Sequence, residues 1–168
     1  MLKINSIDKI NKLNKSDFLS IFGNVFEKTE WIAEKVFALK PFKNINDLFS
    51  KMILQYENCE EEYILQILNS HPELVVEKKL TKDSLKEQSG VNLNQCSIDE
   101  FEEFQKLNIE YKKKFGFPFI IAVKGKNKID ILKNFRQRIL NDVKSEFQEA
   151  KKQVAKIATF RLNDIIKK

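Results

Sequence analysis

Apolar residues recur at helical spacing along most of this chain. After Asp17 they lie three and four residues apart, which is the repeat of a helix with one buried face. Similar patterns follow through most of the sequence, and together they predict an all-α fold of about seven or eight helices. The predicted helices start near residue 17, cover 30–39, start at 46, run from 63 to about 71, follow residues 81 and 97, and cover 129–140 and 143–166.

Polar residues mark several of the predicted helix ends. Ser16 or Asp17 can cap the first helix, and Thr81 can cap a short polar one. Ser97 and Glu100 fit the spacing of a capping box, in which each side chain bonds the other residue's backbone N–H. The helix that starts at residue 30 should stop before Pro41, because the residue preceding a proline disfavours helical backbone angles.

One apolar segment departs from the helical pattern. Residues 115–123 read Phe-Gly-Phe-Pro-Phe-Ile-Ile-Ala-Val and are predicted to be irregular and extended. Pro118 lacks the N–H that a central strand needs, which argues against a sheet. With no repeat, low-complexity stretch or linker visible, residues 1–168 are expected to form a single domain.

The composition favours a helical protein that does not enter a membrane. The chain has 168 residues, of which 42% are hydrophobic, and only four Gly and three Pro, which favours helices. No apolar run approaches the roughly 20 residues of a membrane span, and the N-terminus lacks the apolar block of a signal peptide. A cytoplasmic protein that does not enter a membrane is therefore expected. Cys59 and Cys96 stand alone, and a single histidine argues against a multi-histidine metal site.

The net charge of +6 leaves two classes of function open. A basic helical protein can be a non-catalytic binding module for nucleic acid or a protein partner. However, lysines are mixed with acidic residues along most helices, which favours solvated helix faces. A positive field would also attract a small anionic substrate.

Three charged or titratable residues are candidates for chemistry. Arg161 follows Ile157 by four residues and lies on an apolar helix face, where it needs an ion pair or a ligand; periodicity alone favours the ion pair. His71 is the one side chain that ordinarily titrates near neutral pH, although a lone histidine at a helix end is more often a cap or a surface residue. Glu87 lies on a short polar helix, where a carboxylate is usually solvated.

His71, Glu87 and Arg161 belong to an ordered set of short motifs that extends along the chain. The set resembles the family of 2-oxo-4-hydroxy-4-carboxy-5-ureidoimidazoline (OHCU) decarboxylases along nearly the whole chain. Its motifs are Asp17-Phe18, Phe22-Gly23, Pro41-Phe42, His71-Pro72-Glu73-Leu74, Leu80-Thr81, Ser84, Glu87-Gln88-Ser89-Gly90, Leu107-Asn108, Tyr111, Phe115 to Ile120 and Arg161-Leu162.

The resemblance implies an all-α, usually dimeric carboxy-lyase that needs no metal or organic cofactor. Binding to nucleic acid or to a membrane is not expected. The reaction is loss of carbon dioxide from OHCU, on the route from urate to (S)-allantoin. The resemblance makes His71 the general acid and adds Glu87 and Arg161 to the charged site. The implied substrate-binding residues are Pro72, Ser84, Leu85, Lys86, Glu87, Gln88, Phe119, Ile120, Ile121, Ala122 and Val123.

These residue types suit a decarboxylation. The planar fork of Arg161 can orient an anionic or carbonyl oxygen, and Glu87 can hold a hydroxyl or ring nitrogen and set the protonation of His71. His71 would then protonate one face of the carbanion. The chain departs from the family pattern at Val75-Val76-Glu77-Lys78-Lys79, which is a shorter and different link beside the expected acid.

Overall fold

The computed structural model describes residues 6–75 and 82–167, and in these ranges the chain forms nine helices and no strand. No helix among them has the length and apolarity that a bilayer span requires. The all-α fold class is therefore confirmed. The helices are α1 (Ile7–Lys12), α2 (Lys15–Phe22), α3 (Glu30–Phe37), α4 (Ile45–Glu57), α5 (Glu61–Ser70), α6 (Lys82–Gly90), α7 (Ile98–Phe115), α8 (Lys128–Arg138) and α9 (Val143–Lys167).

The chain divides into two compact units. The first unit comprises residues 1–70 and 155–168, so it contains α1 to α5 and the second part of α9. Helix α3 packs against both α2 and α4. Buried aromatic rings stabilise this unit: the ring centroids of Phe18 and Phe22 lie 4.7 Å apart, and those of Phe26 and Tyr56 lie 4.8 Å apart.

The second unit comprises residues 71–154, with α6, α7, α8 and the first part of α9. Its aromatic core joins helices α7 and α8 to the apolar segment between them. Phe119 of that segment stacks on Phe135 of α8 at a centroid distance of 3.9 Å, and Tyr111 of α7 meets both rings edge-on.

Helix ends match the sequence patterns in part. The capping box of Ser97 and Glu100 is present at the start of α7, as predicted. The cap of α2 was predicted wrongly: it is Asn14, whose side chain accepts a hydrogen bond from Asp17 N–H, so the helix begins at Lys15. The six-residue helix α1 was not predicted, because so short an element shows too few apolar positions for a period. Thr81 lies outside the described residues.

Residues 116–123 are irregular, as the sequence predicts, whereas Phe115, which the prediction placed in the same segment, is helical. Helix α7 ends at Phe115, and Gly116 follows with a φ of +79°, the left-handed conformation that commonly stops a helix. Residues 117–123 then run without helix or strand and are all buried. Gly116 therefore sets the point at which the chain leaves α7 and enters the core.

We expect Gly116→Ala to lower the free energy of unfolding by about 1 kcal/mol, because an alanine Cβ disfavours the left-handed conformation. The space around Gly116 is open, so this cost comes from the backbone and not from a clash. Urea unfolding followed by circular dichroism measures the change. Gly90→Ala is the matched control: its site is equally open and its φ is not left-handed, so stability should be unchanged or slightly higher. Equal effects of both substitutions would contradict the prediction.

Candidate active site

His71 lies directly after α5, at the point where Pro72 prevents the helix from continuing. Its side chain is buried, with 8% of its surface exposed. Pro72 and Glu73 are half-buried, and Leu74 and Val75 are buried. The expected acid is therefore a core-facing residue and not the surface residue that a lone histidine most often is.

Helix α6 presents one face of the expected substrate-binding set to the interior. Ser84 and Gln88, one helical turn apart, are buried, and Glu87 is half-buried. Leu85, with 55% of its surface exposed, and Lys86 lie on the opposite, solvent-facing side. The side chain of Gln88 bonds the segment after His71: its Oε1 accepts from Val75 N–H at 3.2 Å, and its Nε2 donates to Glu73 O at 3.4 Å.

The remaining members of the set, Phe119 to Val123, lie in the buried irregular segment. Two side chains from neighbouring helices hold its backbone. Arg138 of α8 donates from Nη1 to Ile120 O at 2.7 Å, and Gln153 of α9 accepts at Oε1 from Ala122 N–H at 2.9 Å. The Arg138 guanidinium also lies 4.5 Å from the centre of the Phe119 ring, a cation–π distance. These contacts fix the segment without a strand partner.

A buried carboxylate holds Arg138 in place. Glu146 Oε1 accepts from Nε and Nη2 of Arg138 at 2.9 and 2.6 Å and from the Tyr111 hydroxyl, and its Oε2 accepts from Asn141 Nδ2 at 2.8 Å. Burial and the bond to Glu146 raise the pKa of Tyr111, so its hydroxyl remains a donor. Four donated hydrogen bonds compensate for the burial of this carboxylate and fix its direction.

Arg161 of α9 is buried, with 6% of its surface exposed, and it makes the ion pair that periodicity favours. Its Nη2 donates to Glu27 Oε2 at 2.7 Å, and its Nη1 donates to Asn24 O at 2.9 Å. Glu27 is fully buried in the turn between α2 and α3. The pair fixes the plane of the guanidinium, while a role of Arg161 in binding substrate stays a prediction.

Glu27, Arg138 and Glu146 were not predicted from the sequence as buried charged residues. For Arg138 and Glu146 the signal was the one used for Arg161: a charged residue on an apolar helix face. Arg138 follows Phe135 by three residues, and Glu146 precedes Ala150 by four on the buried face of α9. Glu27 lies outside a helix, so periodicity could not reveal it.

The expected site residues divide between the two units. His71, α6 and residues 119–123 belong to the second, and Arg161 belongs to the first. In the part of the chain that the structure describes, no three His, Cys, Asp or Glu side chains gather closely enough to hold a metal ion.

The fold and these residues define an all-helical protein with a buried histidine and two buried arginine–glutamate pairs. The sequence profile of the OHCU decarboxylase family matches residues 11–163, and the chain belongs to this family.

Individual relatives cover the chain almost completely. It is 38% identical over 161 residues to the uric acid degradation bifunctional protein PucL of Bacillus subtilis, which is 96% of this chain and 33% of that protein. It is 34% identical to the 2-oxo-4-hydroxy-4-carboxy-5-ureidoimidazoline decarboxylase of Haloferax volcanii, over 94% of each. A crystal structure of (S)-allantoin synthase matches with a TM-score of 0.78 and 25% identity, over 96% of this chain and 54% of that one. The chain thus spans about a third of the Bacillus relative.

We expect Glu27→Gln to lower the free energy of unfolding by roughly 3 kcal/mol, because it leaves the Arg161 charge buried without its counter-ion. Urea unfolding measures the loss. A double variant, Glu27→Met with Arg161→Met, should lose less than Glu27→Gln alone, since no buried charge remains.

Glu34→Gln is the control, because its ion pair with Lys15, at 3.0 Å, is exposed and should contribute little. If Glu27→Gln is no more destabilising than Glu34→Gln, the prediction is wrong, because breaking the buried ion pair then costs no more free energy of unfolding than breaking the exposed one.

Proposed function

We propose that this protein catalyses the decarboxylation of OHCU to (S)-allantoin in urate degradation. The observation that carries the proposal is the family match over residues 11–163, together with relatives named for this reaction. The same matches do not support the alternative of a non-catalytic basic binding module. The chemistry is proposed to rest on the buried His71 and on the charged side chains of Glu87 and Arg161.

The proposed step begins with OHCU bound as its carboxylate. The bond from the ring carbon to the carboxylate breaks, carbon dioxide leaves, and the electron pair is delocalised into the ring system as an enolate-like species. Protonated His71 then gives its proton to the neighbouring ring carbon, which bears the ureido group, and becomes neutral. The hydroxyl on the decarboxylated carbon passes its proton to the ring nitrogen and becomes the carbonyl of allantoin. Because the proton arrives from one side, a single enantiomer of allantoin forms. A histidine suits this role since it ordinarily titrates near the working pH.

Glu87 and Arg161 are proposed to bind and orient the substrate. The half-buried carboxylate of Glu87 can hold a hydroxyl or ring nitrogen and favour the protonated form of His71. A guanidinium offers five N–H donors in a rigid plane, and the contacts of Arg161 with Glu27 and Asn24 fix that plane. A fixed plane allows Arg161 to set the orientation of a substrate oxygen.

The buried segment 119–123 is proposed to bind the ring and ureido group through its backbone. In an extended chain, successive residues point their N–H and C=O groups to opposite sides. Ile120 directs its C=O toward Arg138, and Ala122 directs its N–H toward Gln153. The backbone groups of Ile121, between them, would then face the other way. Arg138 and Gln153 therefore favour one side of the segment as the ligand side.

Further features of the proposal come from the family alone. Two copies are expected to associate, and the enzyme is expected to work in the cytoplasm with OHCU as its partner molecule. Sedimentation of the purified protein would test the association.

The assay for the proposal uses OHCU made fresh by enzymatic oxidation and hydrolysis of urate. We expect the protein to speed the loss of OHCU absorbance and to yield optically active allantoin, followed by circular dichroism. His71→Ala and Glu87→Gln should each reduce kcat by at least about a hundredfold, because proton delivery and substrate orientation are lost.

The matched control is Glu102→Gln, which removes an exposed carboxylate from α7 and should leave activity unchanged. Far-ultraviolet circular dichroism verifies that each variant is folded. Racemic allantoin formed at the spontaneous rate by the unaltered protein would refute the proposed function.

A further inference from the structure

Three side-chain amides hold the backbone that follows His71. Gln88 of α6 bonds Glu73 O and Val75 N–H, as described above. From α7, Gln105 Nε2 donates to Val75 O at 2.6 Å and Asn108 Nδ2 donates to Leu74 O at 2.9 Å. We call Gln88, Gln105 and Asn108 the amide clamp. All three belong to the same unit as His71, and together they bind three successive residues.

The clamp surrounds a strained residue. Val75 has a φ of +54°, in the left-handed region that β-branched side chains rarely adopt. Its N–H bonds Gln88 and its C=O bonds Gln105, so both of its backbone polar groups are fixed by side chains from different helices. A residue persists in such a conformation only when its surroundings over-determine it. The amides of Gln88 and Gln105 are the contacts that do so here.

Asn108 bonds this backbone from a buried position. Its side chain is 3% exposed, and its Oδ1 meets no donor among the described residues. Its bond to Leu74 O is therefore the hydrogen bond that compensates, in part, for burying a polar amide at this position. A side chain placed only for packing would not need that amide.

The constraint reaches His71 through Pro72. The proline ring fixes its own φ and restricts the backbone of the preceding residue, so His71 has little freedom relative to residues 73–75. Fixing residues 73–75 therefore restricts the position of the His71 backbone, from which the imidazole extends. A displacement of about 1 Å at a catalytic group can cost a hundredfold in rate.

We propose that the amide clamp positions His71 for proton delivery, which makes Gln105 and Asn108 positioning residues of the decarboxylation. The inference rests on the proposed role of His71 as the acid. It also gives Gln88 a task through its side chain that differs from contact with substrate: Gln88 holds the backbone beside the acid.

The test compares Gln105→Met and Asn108→Leu, which keep side-chain size and remove the amide donors. In the OHCU assay we expect kcat to fall about ten- to a hundredfold with KM changed less than about threefold. The enantiomeric excess of allantoin should also fall, because a misplaced imidazole lets water protonate the carbanion from either side. Gln105 is only half-buried, so its variant should fold even if the Asn108 variant does not.

Asn134→Leu is the matched control. Asn134 donates the same kind of bond, from Nδ2 to Asp130 O at 2.8 Å, but within α8 and exposed to solvent. Its kcat and enantiomeric excess should equal those of the unaltered protein.

Three results would separate failure of the clamp from failure of the acid. If Gln105→Met folds and keeps kcat and enantiomeric excess while His71→Ala is inactive, the clamp is wrong and the acid stands. The clamp is equally wrong if kcat falls only in proportion to the folded fraction, with enantiomeric excess unchanged. If His71→Ala keeps full activity, the proposed acid is wrong and the positioning role is lost with it.

Discussion

The unit formed by residues 71–154 depends on the hydrogen bonds that the fully buried carboxylate of Glu146 accepts. These bonds come from Tyr111, Arg138 and Asn141, and so tie α7, α8 and the start of α9 to one point. Because a charge in a protein interior is costly unless it is fully bonded, these elements are constrained together. Arg138, held by Glu146, donates a hydrogen bond to Ile120 O. This bond holds the backbone of the apolar segment in place without a sheet.

The same principle recurs beside the expected acid, with neutral groups in place of charges. Backbone groups of residues 73–75 lie outside any helix and must find partners when buried. Side-chain amides of α6 and α7 supply them, and the strained φ of Val75 follows from that arrangement. In both places, irregular backbone is made rigid by side chains from helices, which is what a site needs when its reacting groups are not on helices themselves.

Much of the fold could be predicted from the sequence because helical periodicity is strong in it. Eight of the helices and the capping box at Ser97 followed from spacing, as did the irregular segment after Gly116. The partners of buried charges could not be predicted, because Glu27 and Arg161 are 134 positions apart and no local pattern links them. The expected link after Leu74 lies from Val76 onward outside the described residues. The roles of His71, Glu87 and Arg161 stay predictions that rest on the order of the motifs in the sequence.

The pairing of Glu27 with Arg161 has a consequence for how the chain folds. The first unit is assembled from residues 1–70 and 155–168, with the whole second unit between them in sequence. During synthesis, Glu27 therefore leaves the ribosome long before its counter-ion exists, while residues 71–154 can already form their own contacts. Closing so long a loop is slow compared with forming local helices. The first unit therefore begins to form first and is completed last. Until Arg161 arrives, Glu27, which is buried in the folded protein, is expected to stay exposed to water.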